Sequence, residues 1–121
     1  MMTIPERKLR IFIVEDEALV AMLMEDIVTD LGHEVSTIAS RVQQGCEIAR
    51  SGDFDVAILD VNLDGQTSYP IAEILREQRI PFAFASGYGA KGLDRSYADV
   101  PTLSKPYVTE DVERLIARLT R

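Results

Sequence analysis

The sequence predicts an α/β domain: a five-stranded parallel sheet, doubly wound, with helices on both faces. Two observations carry that expectation. Short apolar runs alternate with helix-period segments from end to end, with no repeat, low-complexity tract or linker between them. One run, "DVAILD" (55–60), is apolar almost throughout, as a strand covered on both faces must be. Right-handed crossovers leave few other ways to bury such strands. At 121 residues and 46% hydrophobic content, a single domain spanning 1–121 with a real core is expected.

The elements follow in order. "LRIFIV" (9–14) is the first strand. From Glu17 to about Leu31, the residues Leu19, Leu23, Ile27 and Leu31 recur one turn apart, predicting a helix buried along that row and stopped by Gly32. "EVSTIA" (34–39) is a weaker strand, after which Ser40 can cap a helix reaching about Ser51. Gly52-Asp53 turns the chain into the third strand, "DVAILD". Ser68 is a candidate N-cap, with Pro70 tolerated in the first turn of a helix ending near Gln78. "PFAFAS" (81–86) is the fourth strand and "PTLS" (101–104) the fifth. Thr109 is the candidate cap of the last helix. Its first turn carries Glu110 and Asp111 and its last Arg118 and Arg121, matching the helix dipole, and its apolar stripe is Val112, Leu115, Ile116 and Leu119. The simplest assembly is a flavodoxin-like sheet of order 2-1-3-4-5.

Composition narrows the function. A formal charge of −7, with no Lys/Arg-rich run, would repel a phosphate backbone, so no nucleic-acid partner is expected. The lone Cys46 cannot form an internal bridge and reads as a packed residue in a reducing compartment. The N-terminal apolar run is cut off at once by Glu15 and Asp16, so neither signal peptide nor membrane anchor is expected, and the location is expected to be cytoplasmic. His33, next to Gly32 at a helix end, is expected in a capping or surface role, and Tyr69, Tyr97 and Tyr107 as packing residues.

"DVNLDG" (60–65) has the alternating acids and the glycine of a calcium loop. That motif also needs flanking helices and a bidentate Glu at the twelfth position, and here a strand precedes it and Ile71 occupies that position. The acids must serve otherwise. In an open parallel sheet, ligands bind beyond the carboxyl ends of the strands, where the strand order reverses. Those ends deliver Glu15 and Asp16 (first strand), Asp60 (third), Ser86 (fourth) and Lys105 (fifth). Close carboxylates repel unless a cation neutralises them. Hard oxygen ligands with room for water and phosphate suit Mg²⁺. Asp60 can then act as nucleophile on a phosphoryl group, Lys105 can hold the transferring charge, and the Ser86 hydroxyl can bond a product oxygen.

With these residues in place the chain resembles a response-regulator receiver domain, from about Leu9 to Leu119. The acidic pair of that family matches Glu15-Asp16, its phosphoacceptor Asp60, its Thr/Ser switch Ser86 and its Lys-Pro pair Lys105-Pro106. The position whose backbone carbonyl completes the family's metal site matches Asn62. The resemblance implies phosphoryl transfer from a sensor histidine kinase and signalling by altered protein–protein binding.

The chain also departs from the family pattern. Asp64 stands four residues after the acceptor where most receivers have proline, Ser68 replaces a glycine, and Thr102 replaces the usual switch aromatic. "FASGYG" (84–89) resembles the FAT GUY motif of a receiver subclass that often stands alone and works with HWE-type histidine kinases. Gly89 and Gly92 fall where the fourth helix should form, and each costs a helix interior about 1 kcal/mol relative to Ala. That helix is expected to be short, frayed or mobile, with phosphorylation acting through residues 87–99 and Tyr88 as the ring involved. Because the last helix ends the chain, a stand-alone protein with an unknown downstream protein partner is expected; a phosphate sink and a module of a longer regulator or hybrid kinase are variants. The rival from another class is a Mg²⁺-dependent aspartyl-phosphate phosphatase. Such enzymes want a second acid two residues after the nucleophile, where this chain has Asn62. No enzymatic activity beyond the chain's own phosphorylation and dephosphorylation is expected.

Overall fold

In a computed structural model, described here for residues 7–88 and 92–120, five parallel strands form one sheet. They are β1 (Arg10–Val14), β2 (Glu34–Ala39), β3 (Val56–Asp60), β6 (Phe82–Ser86) and β7 (Thr102–Ser104). Their order is β2-β1-β3-β6-β7, which is 2-1-3-4-5 when only these five are counted. A short hairpin that was not among the expected elements, β4 (Asn62–Leu63) with β5 (Gln66–Thr67), follows the central strand. The helices are α1 (Ala18–Asp30), α2 (Val42–Ser51), α3 (Tyr69–Glu77) and α4 (Thr109–Leu119).

Strand alternation sends neighbouring side chains to opposite faces. Ile11, Ile13 and Ile58 pack with Met24, Ile27 and Val28 of α1 and Val112, Leu115 and Ile116 of α4. Phe12, Leu59 and Phe84 pack with Ala49 of α2 and Ile71 and Leu75 of α3. Every residue of β3 and β6 is buried, the price of lying centrally between two helical layers. Among the described residues, no helix is long and apolar enough to cross a membrane.

Several local expectations need correction. The buried face of α1 is Ala21, Met24, Ile27 and Val28, while Leu19 is 80% and Leu23 44% exposed. At 100° per residue, Ala21, Met24, Ile27 and Val28 fall within an arc of about 120°, and Leu19 and Leu23 lie outside it. Arg41, not Ser40, is the N-cap of α2, and the Ser40 amide instead donates to Gln44 Oε1 at 3.2 Å. Val108, not Thr109, is the N-cap of α4, while the stripe Val112, Leu115, Ile116 and Leu119 is buried as expected. Ser68 does precede α3, yet its hydroxyl makes no cap bond and is buried without a partner. His33 is buried, its Nδ1 accepting the Leu9 amide at 3.1 Å, so it ties the first loop to the sheet. Arg121 lies outside the described residues.

The fourth-helix region contains, in its described part, a single 3₁₀ turn, Arg95–Tyr97. Tyr97 anchors it. Its ring is buried, stacked on Tyr69 at 4.8 Å and edge-on to Phe84, and its hydroxyl bonds the Glu73 carboxylate. Arg76 covers the same ring and donates to Ser96 O at 2.9 Å. The segment is thus fastened to α3 by side chains rather than by helical hydrogen bonds. Gly89 falls outside the described residues.

Helices α2 and α3 meet at Gly45, where a Cβ would lie 2.3 Å from Ile71 Cδ1, an atom of a fully buried side chain. Overpacking of this kind costs about 1–3 kcal/mol, against roughly 1 kcal/mol that Ala gains over Gly in a helix. Gly45→Ala is therefore expected to lower stability in urea unfolding. Ile71→Val, which removes Cδ1, should rescue part of that loss; strictly additive effects of the two changes would disprove the close contact.

Candidate functional site

Register brings the strand ends to one edge. Val14 lies opposite Leu59, Asp60 opposite Ala85 and Ser86 opposite Ser104. The ladder continues past the strands: the Glu15 amide donates to Ala39 O at 2.9 Å, and the Lys105 amide to Ser86 O at 3.0 Å. Backbone pairing, rather than side-chain attraction alone, therefore holds the charged residues together.

Glu15, Asp16 and Asp60 each place one carboxylate oxygen within 4.8 Å of the others'. Glu15 and Asp60 are buried and Asp16 is exposed. The Lys105 ammonium donates to Asp60 Oδ2 at 3.1 Å. It also lies 3.1 Å from Glu15 Oε1, a charge contact whose geometry leaves that buried oxygen without a hydrogen-bond partner. Glu15 Oε2 accepts the Glu17 amide at 3.1 Å. Burial pushes the Glu15 carboxyl up to about 7; the Glu17 amide and Lys105 oppose this, and the charge of Asp60 reinforces it. Burial alone would lower Lys105, but Glu15 and Asp60 together outweigh it and raise the ammonium above its ordinary value. A buried carboxylate oxygen lacking a partner, beside two further carboxylates, is a donor set that fits a hard divalent cation such as Mg²⁺.

The other expected residues are placed as follows. Ser86 is buried, and its Oγ accepts the Tyr88 amide at 3.0 Å, leaving the hydroxyl proton available for donation. Asn62 opens β4 directly beyond Asp60 and is exposed. Tyr88 is 78% exposed, and the hydrogen bond that ties it to the site comes from its backbone amide. Two contributors escaped sequence reasoning. The Asp64 amide donates to Asp16 Oδ2 at 3.0 Å; the available signal was that a non-proline residue at this place has an N–H to give. Tyr107, half-buried, is raised above the ordinary phenol range by burial first and then by the charges of Glu15 and Asp60. Its place two residues after Lys105 was the only clue.

Comparison with known proteins agrees with this geometry. Residues 11–117 match the family model of the response regulator receiver domain. The transcriptional regulatory protein TcrA of Mycobacterium tuberculosis is 33% identical over 117 residues, covering 91% of this chain and 44% of TcrA. The chain thus spans less than half the length of that curated relative. The solution structure of SdrG from Sphingomonas melonis Fr1 is similar with a TM-score of 0.84 at 37% identity, covering 94% of this chain and 98% of SdrG. The anti-anti-sigma factor PhyR from Bartonella quintana is similar at 0.82 and 26% identity over 95% of this chain and 48% of its own. A central strand delivering an acid between a strand that delivers two more and a strand that delivers a hydroxyl, over the matched length, places this chain in the response-regulator receiver family of two-component signalling.

Proposed function

We propose that this chain is a phosphoacceptor, taking a phosphoryl group on Asp60 from the phosphohistidine of a histidine kinase and signalling through changed protein binding. The observation that carries the reading is the meeting of Glu15, Asp16 and Asp60 under the ammonium of Lys105. Glu15, Asp16, Asp60 and the carbonyl of Asn62 would hold Mg²⁺, which would supply charge neutralisation for carboxylates and phosphoryl oxygens alike. In the transfer, a carboxylate oxygen of Asp60 forms its bond to phosphorus as the N–P bond breaks and its electron pair returns to the donor imidazole. Lys105, already held against Asp60, stabilises the charge on the transferred group. The Ser86 hydroxyl donates to a phosphoryl oxygen. Because Ser86 Oγ also accepts the Tyr88 amide, movement of this side chain pulls on the segment 87–99, through which the downstream partner is addressed.

The donor must lie over this edge, so its footprint falls on the residues that ring it. Leu19, Met22 and Leu23 of α1 and Val108 before α4 are exposed, apolar, and on the two helices of one sheet face. They suit the helices of a kinase phosphotransfer domain, and the "FASGYG" segment supports an HWE-type kinase. A module of a longer regulator is the second reading, favoured by the 44% coverage of TcrA. The phosphatase reading is disfavoured by Asn62, which cannot shuttle a proton.

Incubation with Mg²⁺ and acetyl phosphate should add one phosphoryl group, mapped to Asp60, and Asp60→Asn should abolish it; unchanged labelling of Asp60→Asn would sink the reading. Leu19→Ala/Leu23→Ala is expected to slow transfer from a phosphorylated kinase by about tenfold or more, the scale of a lost apolar anchor, while acetyl phosphate labelling stays as it was. Equal slowing with both donors would remove α1 as the docking face.

Glu15 makes the site pH-dependent. With its carboxyl raised to about 7, cation binding below that pH must expel a proton, so Mg²⁺ affinity should rise by up to about tenfold per unit between pH 5.5 and 7 and level off above. In the metal-free protein the native state holds a proton that the unfolded chain releases, so this group's stabilising contribution is lost as pH climbs through about 7. Glu15→Gln should flatten both profiles, measured by calorimetry and thermal melts. Profiles identical to wild type would assign the dependence elsewhere.

A further inference from the structure

The hairpin that follows the acceptor strand touches the carboxylate cluster at one point. The Asp64 amide donates to Asp16 Oδ2 at 3.0 Å, across 48 residues of sequence. Asp64 and Gly65 are the two central residues of the turn, with φ of +49° and +85°, the pair of positive values a type I′ hairpin turn requires. Proline at position 64 could provide neither the positive φ nor the N–H. The turn itself is anchored: Leu63 is buried among the α2 and α3 side chains, and the Ser68 amide closes the base on Val61 O at 2.8 Å. Asp16 is the exposed member of the three carboxylates and the one that the Lys105 ammonium does not contact.

We infer that the β4–β5 hairpin is a positioning device for the cation site: its turn residue Asp64, through the backbone amide and not the carboxylate, fixes the Asp16 side chain so that its second oxygen is turned to the metal. The inference deepens the proposed function, since it rests on Asp16 being a ligand. Glu15 and Asp60 are oriented by burial and by Lys105. Asp16 has neither, and a solvent-exposed carboxylate left free would give up rotamer freedom each time a cation bound. The amide removes that freedom in advance, leaving one lone-pair direction engaged and the other oxygen available.

The test replaces the Leu63–Asp64 amide by an ester in semisynthetic protein, which deletes one N–H and keeps every side chain. Mg²⁺ affinity, measured by calorimetry at pH 8, should weaken about tenfold, the usual effect of losing an outer hydrogen bond to a metal ligand. Asp64→Asn, which keeps the amide, should bind within about twofold of wild type, and the ester should have no further effect in an Asp16→Ala background. A merely structural role for the hairpin predicts loss in both backgrounds and is thereby distinguished. If the ester opens the hairpin, amide exchange decides: the Asp64 N–H should exchange faster in Asp16→Ala than in wild type while those of Gln66 and Thr67 are unchanged. Wild-type affinity in the ester, equal weakening by Asp64→Asn, or unaltered Asp64 exchange overturns the inference. Wild-type affinity in Asp16→Ala alone would instead remove the reading of Asp16 as a ligand.

Discussion

One ammonium lets the acidic edge exist. Glu15 and Asp60 are both buried at neighbouring strand ends, where like charges in a poorly solvated site repel each other and both lose hydration. Lys105 lies 3.1 Å from an oxygen of each. It holds that place because its own amide continues the β6–β7 ladder onto Ser86 O. The charge is thus delivered by the backbone, and a lysine free in a loop would pay a far larger entropy cost to occupy the same point. The compensation is incomplete: Glu15 Oε1 has no hydrogen-bond partner and its carboxyl is raised to about 7. On the proposed reading, that unmet demand for positive charge is what a cation would satisfy. On that reading, it also explains how the site is ordered before a cation arrives and still has an oxygen to offer one.

On the proposed reading, the same ladder links chemistry to output. Lys105 is bonded to Ser86, Ser86 to Tyr88, and two residues before Ser86 the Phe84 ring carries Tyr97. Tyr97 is in turn held by Glu73 and covered by Arg76, both on α3. Among the described residues, the β6–β7 connection is fastened by the Tyr88–Ser86 hydrogen bond at its start and by an aromatic cluster with its ionic surround near its end. A shift of the Ser86 hydroxyl by a fraction of its bonding distance acts on the weaker attachment first. The proposed movement of 87–99 is thereby confined between a switch and a fixed anchor, and Thr102 on β7 has no ring with which to share it.

How much of this was legible depended on whether a signal was periodic or relational. β3 and the α4 stripe were readable because burial on both faces, or along one face, imposes a pattern that composition cannot mimic. The order of acid pair, acid, hydroxyl and lysine at successive strand ends was readable because topology converts sequence order into proximity. The α1 face was misread, since Leu19 and Leu23 obey a helical spacing yet lie off the buried line of Ala21, Met24 and Val28. Their apolarity has a different cause, in the proposed reading, from that of the core. The caps failed for a smaller reason: Ser40 and Thr109 are each one residue from the cap position, and no side chain caps α2 or α4 at all. The Asp64–Asp16 bond and the Tyr97 anchor were invisible because each depends on partners 20 or more residues away, whereas the hairpin carried a local Asp64-Gly65 turn signal but strands of only two residues.

Asn62 bears on what kind of molecule this is. An aspartyl phosphate is consumed quickly when a second acid beside it can activate water and protonate the departing oxygen. Here the residue two places beyond Asp60 is an amide, which can do neither, and the ammonium beside Asp60 is raised in pKa and so poorly suited to act as a base. On the proposed reading, the groups around Asp60 stabilise charge on a phosphoryl group, and no acid at position 62 relays a proton during its hydrolysis. Charge stabilisation assists transfer onto Asp60 and hydrolysis from it alike, while the missing proton relay slows only the hydrolysis, which lets the modified state outlast the encounter with the donor. A site with the same three carboxylates and an acid at position 62 would discharge between encounters, and the coupling from Ser86 to the β6–β7 connection would have nothing lasting to report.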